Sequence, residues 1–477
     1  MRKLLFIITI VYTVFLITRP HEFIPGLASV PLLQPMVLAA FAVWLMMPNK
    51  GLDLPQFRIL PILLVFVWLS LGFAGWWGGI VPAVEKLLPP MLLFVIVSGC
   101  VRSVAELKIY SAVVIACACV LVLHGHLQVT TGIGWTGQPM IEGRITYSGI
   151  FNDPNDMGLL IVVSIAMSLF HFRTQDGRLI RLLILAVLGW LLYGVYLTDS
   201  RGTMLAVMLV LGLETWRAYG KTAVIVSAAL LVPILVASTR LAELDAEEAS
   251  AANRFDAWYE GIELLMANPF FGVGWNMFSD YHGLTAHNSW VLAMAELGLL
   301  GYTVWLSFVA LSGWMIFRLV FPRKQPVAAA RAVGALPGSA RWANVAGPVV
   351  AGGYAARTAF VPAVVARSTD AARQANQVPG AVARETESGS PERELERLAA
   401  WFLLFAASGF ALGAFFLSQS YKAMIFLTCG LVVGRFLGMR EAGMPVPTYL
   451  LGMKLPLMFA AAIGSVVGLW ILLKFLL

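Results

Sequence analysis

The run Ala223-Val-Ile-Val-Ser-Ala-Ala-Leu-Leu-Val-Pro-Ile-Leu-Val-Ala237 ends at Ser238-Thr239-Arg240, and the chain becomes apolar again only after Ala286-His287-Asn288-Ser289-Trp290-Val291-Leu292. Between the two apolar runs lies a polar segment of roughly 47 residues, Ser238 to Thr285, and a connection of that length between membrane spans usually has a task of its own. It holds Arg240, Arg254, Tyr259, Trp275 and His282, with His287 just beyond its end. The pattern within it is not that of a linker. Phe255, Trp258, Ile262 and Leu265 fall at i, i+3, i+7 and i+10, which predicts a helix between Glu247 and Met266. Asn268-Pro269 stops that helix, and Gly272-Val-Gly274-Trp275 then predicts a tight turn.

Outward from this segment the chain is membrane-embedded. Of 477 residues, 59% are hydrophobic and 12% charged, and the mean hydropathy is +0.81. That composition excludes a soluble globule and predicts an all-α polytopic membrane protein. Apolar runs long enough to cross a bilayer predict 12–13 spans, near 4–18, 29–47, 59–77, 84–100, 108–129, 157–171, 179–198, 203–218, 222–238, 287–318, 399–417, 422–438 and 455–476. The first, behind Met1-Arg2-Lys3, is similar to a signal peptide, but Thr18-Arg19-Pro20-His21 lacks the small residues of a cleavage site and reads as the end of a retained helix.

Lys and Arg set the orientation. With the N-terminus inside, only Arg19, Lys86, Arg144, Arg201, Arg240, Arg254, Lys422 and Lys474 fall outside, out of 33 Lys and Arg in the chain. The net charge of +7 then follows from topology, and nothing calls for nucleic acid as a partner. Cys100, Cys117, Cys119 and Cys429 all fall in or at spans, and no zinc spacing occurs among them. The expected organisation is N-terminal spans over 1–238, an outer loop with short helices over 239–286, a span over 287–320, a cytoplasmic low-complexity insertion over 321–398 and C-terminal spans over 399–477. The insertion is rich in Ala, Val, Arg, Gly and Pro and poor in large apolar residues, so it has no core of its own to bury. Ser390-Pro391-Glu392 at its end predicts a helix start.

Three outer arginines, Arg144, Arg201 and Arg254, lie at membrane re-entry points or in the long loop. A guanidinium fork suits phosphate oxygens, which points to an anion clamp; for a single such arginine taken alone, a snorkelling anchor or a salt bridge from Arg201 to Asp199 is the more ordinary reading. His287 opens the tenth span, where a helix N-terminus disfavours the imidazolium, so the neutral base form is expected near pH 7. His282 is its nearest rival. His124 and His126 lie on different faces of one helix, which argues against a joint metal site. Asp153 and Asp156 could bind a divalent cation or cap the sixth span. Gly272-Val-Gly274 lacks the Lys-Ser/Thr of a nucleotide loop.

In order, Ser200-Arg201-Gly202, Arg254-x-x-x-Trp258, Asn268-Pro269-x-x-Gly272-x-Gly274, His287-Asn288 and Glu296-x-Gly298-x-x-Gly301 resemble the O-antigen ligase and O-antigen polymerase family, over about residues 150–300. Arg19-Pro20-His21-Glu22 and the Arg144 to Asp156 stretch are similar to a polysaccharide-export or exosortase-associated branch. The resemblance implies a GT-C-like fold in the bacterial inner membrane, with the long loop periplasmic between the ninth and tenth spans. It implies a lipopolysaccharide or other cell-surface polysaccharide enzyme with undecaprenyl-pyrophosphate-linked glycan as donor. The acceptor would be a second such glycan, lipid A-core or a protein hydroxyl. Transfer would be inverting, with no cofactor and no metal. Carried over by motif, Arg201 and Arg254 would bind pyrophosphate and His287 would be the general base. Arg144, Asn288, Trp258, Asp199 and His282 are the candidate substrate-binding residues. The long cytoplasmic insertion and the thirteenth span depart from the family pattern. A lipid-linked oligosaccharide transporter would instead show internal repeats and charged or broken helices at the bilayer midplane; a loop that only binds a partner would tolerate loss of His287, Arg201 and Arg254.

Overall fold

The computed structural model describes residues 1–24, 26–27, 30–238, 249–322, 391–447 and 455–476. Arg240 and nearly all of the insertion expected at 321–398 lie outside the described residues. Met1–Phe321 and Leu395–Leu477 form one compact unit, and Pro322–Glu394 forms another.

The first unit is helical, with only two isolated β-bridges among the described residues. In chain order the helices are α1 (Arg2–Thr18), α2 (Leu33–Leu45), α3 (Pro55–Phe73), α4 (Ile80–Cys100), α5 (Val104–Thr131), α6 (Pro154–Thr174), α7 (Arg178–Thr198), α8 (Arg201–Tyr219), α9 (Lys221–Ser238), α10 (Ala249–Ala267), α11 (Phe278–His282), α12 (Ser289–Val320), α13 (Pro391–Phe415), α14 (Ala423–Glu441) and α15 (Leu455–Leu476). Every expected span coincides with a helix. Among the described residues nine helices are long and apolar enough to cross a membrane, so the chain is an all-α polytopic membrane protein. That number is below the expected 12–13. Helix α2 has 13 residues and α1 has 17, while α8 carries Arg201, Glu214 and Arg217.

Local chemistry accounts for several boundaries. Ser103 and Glu106 form a reciprocal capping box at the start of α5. Pro154 stands in the first turn of α6 behind Asp153, whose carboxylate accepts from Asn155 N–H at 2.7 Å. Pro391 opens α13, as the Ser-Pro-Glu signal predicts. The tightest helix pair, α4 on α14, rests on Gly430, Gly434 and Gly438, spaced four apart. A Cβ on Gly434 would lie 2.6 Å from the Val101 carbonyl and one on Gly438 1.5 Å from that of Arg102. Absent side chains let the backbones touch, the usual device for joining helices in a medium that gives no hydrophobic drive between them.

The connections fall at two ends of the bundle. One end holds the turns before α3, α5 and α7 and the end of α14. The other holds the α1–α2, α3–α4, α5–α6, α7–α8 and α13–α14 connections and the whole α9–α12 segment.

Candidate functional site

Helix α10 ends before Asn268, as the sequence predicts, and buries Ala257, Trp258, Ile262, Leu264 and Leu265. The following loop, 269–274, packs onto a break in α12. At Gly298 the backbone leaves the helix (φ 64°, ψ −178°), which strands carbonyls and amides on either side. The loop supplies their partners: Val273 N–H donates to Ala295 O at 2.9 Å, Gly274 N–H to Glu296 O at 3.2 Å, and Leu299 N–H to Pro269 O at 2.8 Å. No side chain fits between them, since a Cβ on Gly272 would lie 2.4 Å from the Glu296 carbonyl carbon and one on Gly298 2.5 Å from Gly272 N. The glycines of two motifs thus serve one backbone-to-backbone junction, which divides α12 into a short segment, 289–297, and a longer one after it.

That short segment begins at the candidate base. His287 takes a left-handed conformation (φ 47°). Asn288 then caps α12, its Oδ1 accepting from Trp290 N–H at 2.9 Å and Val291 N–H at 3.2 Å. Asn288 is fully buried; its Nδ2 has no partner among the described residues. Ser289 stitches the helix start to the α13–α14 connection. Its single hydroxyl proton lies between Ala414 O and Leu417 O, its oxygen accepts from Gln419 N–H at 2.9 Å, and Ser420 Oγ donates to Ser289 O at 2.6 Å. Thr285 and Ser418 share a hydroxyl hydrogen bond of 2.7 Å. From the same connection Gln419 Nε2 and Lys422 Nζ both reach the buried carboxylate of Asp156 on α6.

Burial lowers the pKa of His287, followed by the positive charge of Arg254; Lys422 and His282 lower it further, while Asp153 raises it. Arg254, Lys422, Asp153 and His282, far apart in sequence, are therefore near enough to act on one imidazole, and their sum favours its neutral form. Trp258, one turn after Arg254, is buried edge-on against Phe415 with centroids 5.3 Å apart. His282 ends the five-residue α11, its ring 6.0 Å from Phe278.

A second group gathers where α5–α6 meets α7–α8. Arg144 Nε donates to Thr198 O at 2.8 Å and its Nη2 to Asn155 Oδ1 at 2.8 Å. Asp199 closes α7 in the left-handed region (φ 45°). Ser200 caps α8, and Arg201 is the first residue of that helix. Gly158 of α6 lets Thr203 of α8 approach closely, and Gly202 faces Phe416. Phe415 touches Trp258 and Phe416 lies against Gly202, so the Phe415-Phe416 pair adjoins both the Arg254 helix and the start of the Arg201 helix.

The structure thus brings Arg254, His282 and His287 together, and Arg144, Asp199 and Arg201 together. Asn288 is a cap, and Trp258 packs in the interior. Of the two aspartates, Asp153 caps α6 whereas Asp156 pairs with Lys422. His124 and His126 have separate partners, Thr136 Oγ1 at 2.9 Å and Tyr193 OH at 3.0 Å. Among the described residues no three His, Cys, Asp or Glu side chains are grouped to hold a metal ion. Sequence reasoning missed Gln419 and the Lys422–Asp156 pair. The available signal was a Gln and a Lys beside the short polar turn Ser418-Gln419-Ser420, between two apolar helices.

Residues 185–306 match the family model described as O-antigen ligase. No curated protein matches the chain.

Proposed function

We propose that this chain, whose residues 185–306 match the O-antigen ligase family model, is a glycosyltransferase of the bacterial inner membrane, with its N-terminus in the cytoplasm. It moves a glycan from undecaprenyl pyrophosphate to an acceptor hydroxyl at the periplasmic face. The reading rests most on one observation: Arg254 acts on a half-buried His287 whose surroundings favour the neutral imidazole.

In the proposed reaction His287 takes the proton of the acceptor hydroxyl, and the oxygen attacks the anomeric carbon from the face opposite the pyrophosphate. The bond from that carbon to the pyrophosphate oxygen breaks, its electron pair leaves with the pyrophosphate, and the linkage inverts. Arg201 and Arg254 meet the charge growing on the leaving group, and Arg144 supports the Arg201 side. Such preorganised cations are worth about two to three orders of magnitude each in rate. General-base assistance adds about 10²–10⁴-fold. The leaving group is already a good one, so neither a cofactor nor a metal is required by this scheme.

The test is a transfer assay in proteoliposomes holding the purified full chain and undecaprenyl-pyrophosphate-linked glycan. Lipid A-core, a second lipid-linked glycan and a protein substrate are offered in turn as acceptors. The expected result is acceptor-dependent product, one addition for a ligase and a ladder for a polymerase. Intact, inserted protein that gives no product with any acceptor contradicts the proposal.

A further inference from the structure

The motif Arg19-Pro20-His21-Glu22 takes no part in the site above, yet its Arg19, His21 and Glu22 line a cavity of about 1030 Å³. Arg19 leaves α1 in a left-handed conformation (φ 45°), unusual for a residue of its size. Its side chain lies along Gly149, where a Cβ would sit 1.9 Å from Nε. It pairs with Glu22, but Nε is buried and has no acceptor. His21 is 5% exposed and stacks on Phe15, with Nδ1 buried and unpartnered. Across the cavity, Lys86 stands over the Trp275 ring at 5.9 Å, and the buried indole N–H of Trp275 also lacks an acceptor. Lys422, paired with Asp156, completes the charged lining, in which Lys86 adds a further cation beside the Arg19–Glu22 pair.

Buried donors without acceptors cost free energy unless something else accepts from them. Arg19 and Trp275, each with a buried N–H that has no acceptor, line one space together with the exposed ammonium of Lys86, a setting suited to an anion. Arg144, Arg201 and Arg254 do not line it, so it is distinct from the donor clamp. It does reach the neighbourhood of the proposed base: Thr285, two residues before His287, and Ser418 and Lys422 also line it. Lys422 also acts on the His287 imidazole.

We propose that this cavity is the acceptor site and takes the phosphate-bearing part of an anionic lipid-linked saccharide, directing its free hydroxyl past Thr285 to His287. The inference rests on the glycosyl-transfer reading, and it assigns the Arg19–Glu22 turn, Lys86 and Lys422 to acceptor recognition. Two lipids share the chemistry, a polyprenyl pyrophosphate glycan and a phosphorylated lipid A-core.

The experiment measures binding to full-length protein in nanodiscs carrying Arg254→Ala and His287→Ala, which disables the donor clamp and turnover. The probes are undecaprenyl-pyrophosphate-linked glycan and lipid A-core, each beside a phosphatase-treated counterpart. At least one phosphorylated probe should bind about tenfold more tightly than its treated form, and adding Lys86→Gln or Arg19→Gln should remove about tenfold of that affinity. The probe that responds names the source of the phosphate. Lys86 is exposed on α4, so its replacement leaves the fold intact, and melting of each variant checks this. Phosphate-independent binding, or affinity unchanged in both folded variants, overturns the assignment. Transfer by wild-type protein, measured separately, shows whether the underlying reading stands.

Discussion

The two ends of the helix bundle place their charges differently. At one end arginines and carboxylates pair across helices: Arg102 with Glu441, Arg435 with Glu396, Arg2 with Glu106 and Glu441, Arg440 with Asp53, and Glu214 with both Arg173 and Arg217. Most of these carboxylates lie in the helix ends or short turns that join the spans. At the other end lie Arg19, Lys86, Arg144, Arg201, Arg254 and Lys422, of which Arg19 pairs with Glu22 and Lys422 with Asp156. Among the described residues, five of the six non-glycine residues with positive φ also lie there: Arg19, Glu142, Asp199, Asn276 and His287. Left-handed residues cost about 1–3 kcal/mol each and persist where the surroundings over-determine them, which is characteristic of sites that bind or react. One end ties its charges into pairs across helices, and the other places Arg19, Lys86 and Lys422 around one cavity.

The sharpest way to break this comparison is to disturb the junction that builds the second end. Gly298→Val forces a side chain into the backbone of the 269–274 loop, and folded, inserted protein should be lost, as read by detergent-solubilised yield and melting. Arg254→Ala should keep the fold and reduce transfer about 10²–10³-fold, measured as kcat/KM for the donor. Lys422→Met strands the buried Asp156 carboxylate. Because Lys422 is 42% exposed, the cost is discounted to about 2 kcal/mol, read by denaturant melting; Asp156→Asn added to it should restore part of that loss.

The pH dependence sharpens the account. Burial and nearby cations lower the pKa of His287, so its base form persists as the pH falls. The acid limb of the kcat profile should lie below the ordinary histidine value of about 6.5. Lys422→Met removes a lowering charge and should move the limb up, whereas Asp153→Asn removes the raising one and should move it down. The smallest effect is expected from deleting 327–388, a segment outside the described residues. Its composition holds no candidate site residue, so transfer should stay within about twofold of wild type, judged against general mutational tolerance away from sites.

Much of this arrangement was legible in the chain. Hydropathy placed every span on a helix, because apolar length is what a bilayer demands. Periodicity in Phe255, Trp258, Ile262 and Leu265 located α10, and Asn268-Pro269 located its end. His287 and Arg254 were legible as candidates through motif order and loop position. What stayed hidden was tertiary register. Nothing local in Asp156 or Lys422 announces that they meet across 266 positions, and nothing local shows that Gly272 and Gly298 share one junction. Asn288 and Trp258 look polar or amphipathic in sequence, yet one caps α12 and the other packs on Phe415. Arg19-Pro20-His21-Glu22 was visible as a motif, but the cavity that gives it meaning is made by α4, the 275–285 segment and the α13–α14 connection.

The central claim is that His287 is the base at the cation-rich end, and the most direct measurement compares wild type with His287→Ala in the proteoliposome transfer assay, with insertion and donor affinity verified for both. The account predicts a loss of about 10²–10⁴-fold in transfer with donor binding retained. Near-normal transfer by correctly inserted His287→Ala protein would contradict it.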